Sequence, residues 1–130
     1  MRDAATMQAF ETTALTRKRD RTGKPYLEFL RVLAMSGGVY RLPKGGKDSQ
    51  SPHAEDEVYV VVQGRARIRV GAQDRSVQPG TIIYVPANIE HRFHDIEETL
   101  TTLVFFAPAE RMPEYRVKRR SGRIRSPAKS

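Results

Sequence analysis

The chain has 130 residues with no cysteine and no tryptophan, a length that fits one domain able to bury about two thirds of its chain surface. The missing cysteine excludes a disulfide scaffold, zinc ribbons and thiol nucleophiles, and no apolar run approaches the ~20 residues that cross a bilayer. The net charge of +8 sits at one end: residues 111–130 hold eight Lys and Arg against Glu114, a balance of +7 that leaves +1 for residues 1–110.

Residues 1–25 are mixed and polar, with a charged cluster from Arg17 to Arg21 and a turn at Gly23-Lys24-Pro25. They are expected to form an arm with one short strand near Phe10–Leu15. The aromatic and branched run at 26–33 is predicted as a strand, ended by Ser36-Gly37-Gly38, and a second short strand follows at Val39–Leu42. Residues 43–52 read as a loop. EVYVVVQ (57–63) is β-branched and apolar on both faces, as a central strand should be. Gly64 is expected to turn the chain into RARIRV (65–70), whose strict alternation leaves one wet face. Gly71–Asp74 predicts a hairpin turn into a short strand at Ser76–Val77. TIIYV (81–85), a strand from His91 to Asp95, and TLTTLVFFAP (99–108) complete the body, with no long helix before residue 109. Short strands at 8–12-residue intervals predict an all-β antiparallel sandwich or barrel.

The three histidines, His53, His91 and His94, each lie at a strand border beside carboxylates. Since i and i+2 share a face, His91, Phe93 and Asp95 are expected to point one way, and Arg92 and His94 the other. Glu57 shares its face with Tyr59 and Val61, and a carboxylate facing a barrel interior is costly unless paired or bound to metal. Two imidazoles and one carboxylate are the ligand types of a facial triad, typical of non-heme Fe(II) and suited to Mn, Ni or Zn. Taken singly, each residue has an ordinary reading: His53 as a loop histidine, Glu57 as part of a solvated acidic turn, His91 as a turn cap, His94 as an outward side chain.

Jointly, the spacing resembles the cupin superfamily, over roughly residues 26–108. Glu57 is followed by VYVVVQ and Gly64, as in the first cupin motif, with His53 in the place of its second histidine and Ser51 in the place of its first. Gly80, TIIYV, Pro86, Ala87, Asn88, Ile89-Glu90 and His91 run in register with the second motif. Asn88 stands for a glycine, a change that left-handed backbone tolerates, and Asp95 stands for the final asparagine. The resemblance implies a double-stranded β-helix (jelly roll) with a divalent metal held by His53, Glu57 and His91. Water, substrate or a swung Glu55 would take the place that Ser51 leaves.

Two functions follow as expectations. One is a metalloenzyme acting on a small molecule, oxygenase-type with Fe(II) first, or an isomerase or lyase, with Tyr40, Tyr59, Phe93 and Phe105 on the inward faces as pocket candidates beside Ser51. The other is a non-catalytic module that binds a small ligand or metal. The resemblance also implies a homodimer, with the arm as a strand-swapping or pocket-covering element. Residues 109–130 read as a basic C-terminal tail, expected to be disordered, whose RVKRRSGRIRS (116–126) would meet nucleic acid only non-specifically, if at all. No membrane association is expected. The N-terminal MRDAATMQAF lacks the apolar stretch of a secretory signal, so a cytoplasmic setting is expected.

Overall fold

The computed structural model describes residues 6–49 and 52–111. In chain order its elements are α1 (Thr12–Thr22), β1 (Tyr26–Arg31), β2 (Ser36–Leu42), β3 (Asp56–Val70), β4 (Gln73–Val77), β5 (Ile82–Val85) and β6 (His91–Ala107). All strand pairs are antiparallel: β1-β2-β6-β3-β4 form one path, and β5 pairs with β3. The antiparallel all-β expectation holds.

Two of the expected strand boundaries disappear. Residues 57–63 and 65–70 form the single strand β3, and residues 91–95 and 99–107 form the single strand β6. Gly64 therefore makes no turn between strands. It sits where the β3–β6 register slips three times, between Val61 and Arg67. Across that slip the buried positions of β3 change parity, from Glu57, Tyr59 and Val61 to Ala66 and Ile68. β6 changes parity opposite it, from His91 and Phe93 to Ile96, Leu100, Val104 and Phe106.

These slips bend the ribbon. Val70 follows Glu57 by thirteen positions and pairs with His91, a span of about 43 Å if the strand were straight. Yet the Glu57 and His91 side chains lie 3.0 Å apart. The ribbon curls until its two ends face each other, with β1, β2 and β5 flanking one half and β4 the other. Between the halves lies the core of Tyr59, Val61, Ile68, Val85, Phe93, Leu100, Val104 and Phe106, where Tyr59 meets Phe93 edge-on with 4.8 Å between ring centroids.

Three further expectations are corrected. Asp95 does not share the face of His91 and Phe93: its φ of 48° breaks the alternation and leaves it exposed. Gly37 and Gly38 do not end a strand but lie within β2, because rings occupy the space of their missing side chains. A Cβ on Gly37 would lie 2.9 Å from Phe105, and one on Gly38 would lie 2.3 Å from Tyr26. The stretch Phe10–Leu15 holds no strand; the arm carries α1, which packs on β1 and β2 with Leu15 buried. Its charged cluster is the last turns of a helix, where Arg19 and Arg21 favour the negative dipole end, and Gly23 closes it at φ 72°.

Gly64 is where the bend meets its tightest constraint. Its φ is 91°, and a Cβ there would sit 2.1 Å from the Thr99 carbonyl oxygen. Gly64→Ala is expected to lower stability by at least about 2 kcal/mol, combining left-handed strain with a clash against backbone. An unchanged midpoint in urea unfolding would show that the bend does not need this close approach.

Candidate metal centre

His53, Glu57 and His91 reach one place from three segments. His53 lies in the loop before β3, Glu57 at the start of β3, and His91 at the start of β6. The loop carrying His53 is held to the turn before β6: the Asn88 N–H donates to the His53 carbonyl at 2.6 Å. Asn88 takes φ 65°, the left-handed backbone expected at that position. Asp56 adds a second tie, accepting the Ala87 N–H at 2.9 Å.

All three side chains are buried, at 2%, 1% and 4% exposure, so the loop-histidine and solvated-acid readings do not apply. One nitrogen or oxygen from each lies within 4.8 Å of the others, and the group could hold a metal ion. His91 Nε2 is 3.0 Å and His53 Nε2 is 3.8 Å from Glu57 Oε1. Both Glu57 oxygens and His91 Nε2 are buried without a hydrogen bond, a costly condition in a protein interior that a cation among them would relieve. The Ile89 carbonyl accepts the His91 Nδ1–H at 2.8 Å. That bond keeps a proton on Nδ1 and turns Nε2 toward Glu57, so that the ring, once Nε2 gives up its proton, presents the lone pair a metal ligand requires. The donor set, two imidazoles and a carboxylate, therefore fits a divalent ion.

The other candidates separate. Tyr59 and Phe93 are buried in the core, with Tyr59 6.1 Å from the His91 ring. Tyr40 is half-buried, and its hydroxyl donates to Asp48 at 2.6 Å. Phe105 is a correction: it points away from the interior, over Gly37 and against Phe29. Unbroken alternation from His91 would turn residue 105 inward, but the slip at Asp95 turns Phe106 inward instead, 4.9 Å from the His53 ring. Glu55 is buried but lies outside the metal-capable group. His94 faces outward, 2.8 Å from Asp74. Ser51 lies outside the described residues.

Sequence reasoning misses two buried carboxylates. Asp48, in the loop after β2, accepts the Tyr40 hydroxyl and the Phe93 N–H (2.9 Å) and so ties that loop to β6. Glu110, which composition assigns to the basic tail, is 1% exposed, with Oε2 3.7 Å from His53 Nδ1. The tail from residue 112 onward lies outside the described residues. No helix among the described residues is long and apolar enough to cross a membrane.

A curled antiparallel sheet with two histidines and a glutamate buried at one end defines a small β-barrel protein with a potential metal site. The cupin domain model of the Cupin_2 family matches residues 38–106, and the chain belongs to that family. It is 49% identical over 104 residues to the "uncharacterized protein SCO3923" of Streptomyces coelicolor, covering 80% of this chain and 99% of the relative. Among solved structures it resembles TT1209 from Thermus thermophilus (TM-score 0.63, 21% identity, 79% of this chain and 99% of that one). It also resembles the DMSP lyase DddQ from Ruegeria pomeroyi (TM-score 0.58, 17% identity, 67% of this chain and 49% of that one). The two structural likenesses establish the shared fold.

Burial disfavours the charged form of His91, but the facing Glu57 carboxylate, aided by the Ile89 carbonyl and the charge of Asp48, outweighs it and raises the pKa above the ordinary value. In metal-free protein this pair's contribution to stability is therefore complete below about pH 6.5, the unfolded value. It is lost as pH rises through the higher folded value. Melting of chelator-treated wild type should fall relative to His91→Gln across that rise. Parallel profiles would show that the pair does not couple to folding.

Proposed function

We propose that this protein is a metal-dependent enzyme acting on a small molecule, with His53, Glu57 and His91 as its metal ligands. What carries the reading is the buried carboxylate: both Glu57 oxygens lack a hydrogen bond and face two imidazoles, one of them held with its Nε2 toward the same point. A divalent ion bound there, Fe(II) first and Mn, Ni or Zn as alternatives, supplies Lewis acidity and open coordination positions. Oxygenase-type chemistry is the first subclass and isomerase or lyase chemistry the second.

The residues around the centre have definable tasks in this reading. Ile89 keeps the His91 proton on Nδ1. Tyr59, Phe93 and Phe106 exclude water from the ligands, which strengthens each charge interaction among them. Asp48 holds the loop after β2 against β6, and the Asn88 contact holds the His53 segment to the turn before β6.

One observation favours a second reading, a module that holds metal or ligand without turnover: the three ligands are at most 4% exposed. Water access separates the two. Manganese-loaded protein with an open position speeds water-proton relaxation, as the enzyme reading expects, and a closed site does not.

Elemental analysis should find about one divalent ion per chain. His91→Ala should weaken its binding beyond the roughly 100-fold that losing an outer-shell partner costs. Stoichiometric metal retained by that variant would place the ion elsewhere.

A homodimer is part of the same proposal. The outer side of β5 leaves Ile82 and Tyr84 66% and 58% exposed, beside the half-buried Val58 and Val60 with which they pair, an apolar strip of the kind a second copy would cover. Ile82→Glu should convert a dimer to monomer in sedimentation velocity, and an unchanged sedimentation coefficient would remove β5 from the interface.

A further inference from the structure

The chain does not leave the sheet when β6 ends. It runs on through Pro108 to Glu110, whose N–H donates to the Ser36 hydroxyl at 2.8 Å and whose carbonyl accepts from the Arg31 guanidinium. Ser36 is fully buried at the start of β2. Arg31 is itself fixed by two bonds to Glu28, at 2.8 and 2.9 Å. With its N–H and C=O both held at the rim, Glu110 turns its side chain inward, and the carboxylate is as buried as that of Glu57.

The His53 ring consequently lies between two carboxylates. Its Nε2 is 3.8 Å from Glu57 Oε1, and its Nδ1 is 3.7 Å from Glu110 Oε2. We infer that Glu110 is a positioning residue of the metal centre, a carboxylate that holds the His53 ring from behind and keeps its proton on Nδ1, so that Nε2 faces Glu57 and His91. The inference rests on the metal reading and adds to it a residue from outside both motif regions.

The physical reason is reciprocal. A negative charge beside Nδ1 favours the tautomer protonated there and leaves the Nε2 lone pair for a cation. A cation on Nε2 polarises the ring, makes Nδ1–H a stronger donor, and so offsets the cost of burying a second carboxylate. The two histidines are then oriented differently, His91 by a neutral carbonyl and His53 by a charge.

The test compares full-length wild type, Glu110→Gln and Glu110→Asp, stripped of metal and titrated with Co(II), following the visible absorption band. Glu110→Gln keeps the volume and removes the charge. It should bind Co(II) about 10- to 100-fold more weakly, with a shifted absorption band at saturation, and the metal-free protein should melt no lower than wild type. Glu110→Asp should recover part of the affinity. Equal Co(II) affinity and an unshifted band in Glu110→Gln would overturn the inference and leave the metal reading intact. So would weaker binding matched by an equal loss of metal-free stability, since that marks a structural role. Wild type that takes up no Co(II) would overturn both.

Discussion

The curl of the β3–β6 ribbon is the constraint on which the rest of the structure depends. Two strands of 15 and 17 residues pair along nearly their whole length, and a ribbon that long would ordinarily twist without closing. Here the register slips three times in the middle of the ribbon, around Gly64 on β3 and across residues 94–102 of β6, where Asp95 takes positive φ, so that the same side of the ribbon stays concave on both halves. Bulges are the usual means of bending a sheet sharply. Without the slips, positions 57 and 91 would sit at opposite ends of a straight ribbon, and Phe105 would point where Phe106 does.

Closing the ribbon creates a cost as well as a core. Apolar side chains fill the space between the halves, each contributing about 1.5–3 kcal/mol by burial. At the mouth, however, Glu57, His53, His91 and Glu110 are buried with their polar atoms. A fold selected for stability alone would place leucine or valine at such positions, because buried ion pairs seldom outperform well-packed apolar groups. Ionisable side chains converging at the rim of an otherwise apolar core are better understood as serving a ligand.

How much of this is legible in the sequence depends on whether the signal is local. Glu57 to Gly64 and Gly80 to His91 are short, ordered spacings, and they lead to the fold, the three converging side chains and the left-handed Asn88. Strand alternation identifies Tyr59 and Phe93 as interior residues. The same alternation fails at Asp95, because a one-residue slip inverts every later position, and a single Asp inside a strand-like run is too weak a turn signal to reveal it. Gly37 and Gly38 look like a break because their purpose is to admit the rings of Phe105 and Tyr26, and the first of these is far away in sequence. The arm reads as a strand because α1 packs only one buried leucine on the sheet and is otherwise polar, which leaves no apolar stripe to reveal a helix. Glu110 is invisible for a different reason: it begins a basic stretch, and only its anchors to Ser36 and Arg31, more than 70 positions earlier, turn it inward.

The contrast between Glu57 and Glu110 shows how the site divides its tasks. Glu57 is fixed by a strand paired on both edges, to Phe106 and to Val85, so its carboxylate cannot retreat from the two imidazoles. Glu110 hangs from a single residue clamped at its backbone, beyond the last strand. Rigid support suits the group that, in the proposed metal centre, would stay in contact with the cation. Lighter support suffices for one that acts only by the field it exerts through His53. That field acts at short range across a dry interior, where charges are poorly screened. A single carboxylate on the segment leaving the sheet can therefore set the donor strength of a histidine whose ring orientation the motif spacing alone does not dictate.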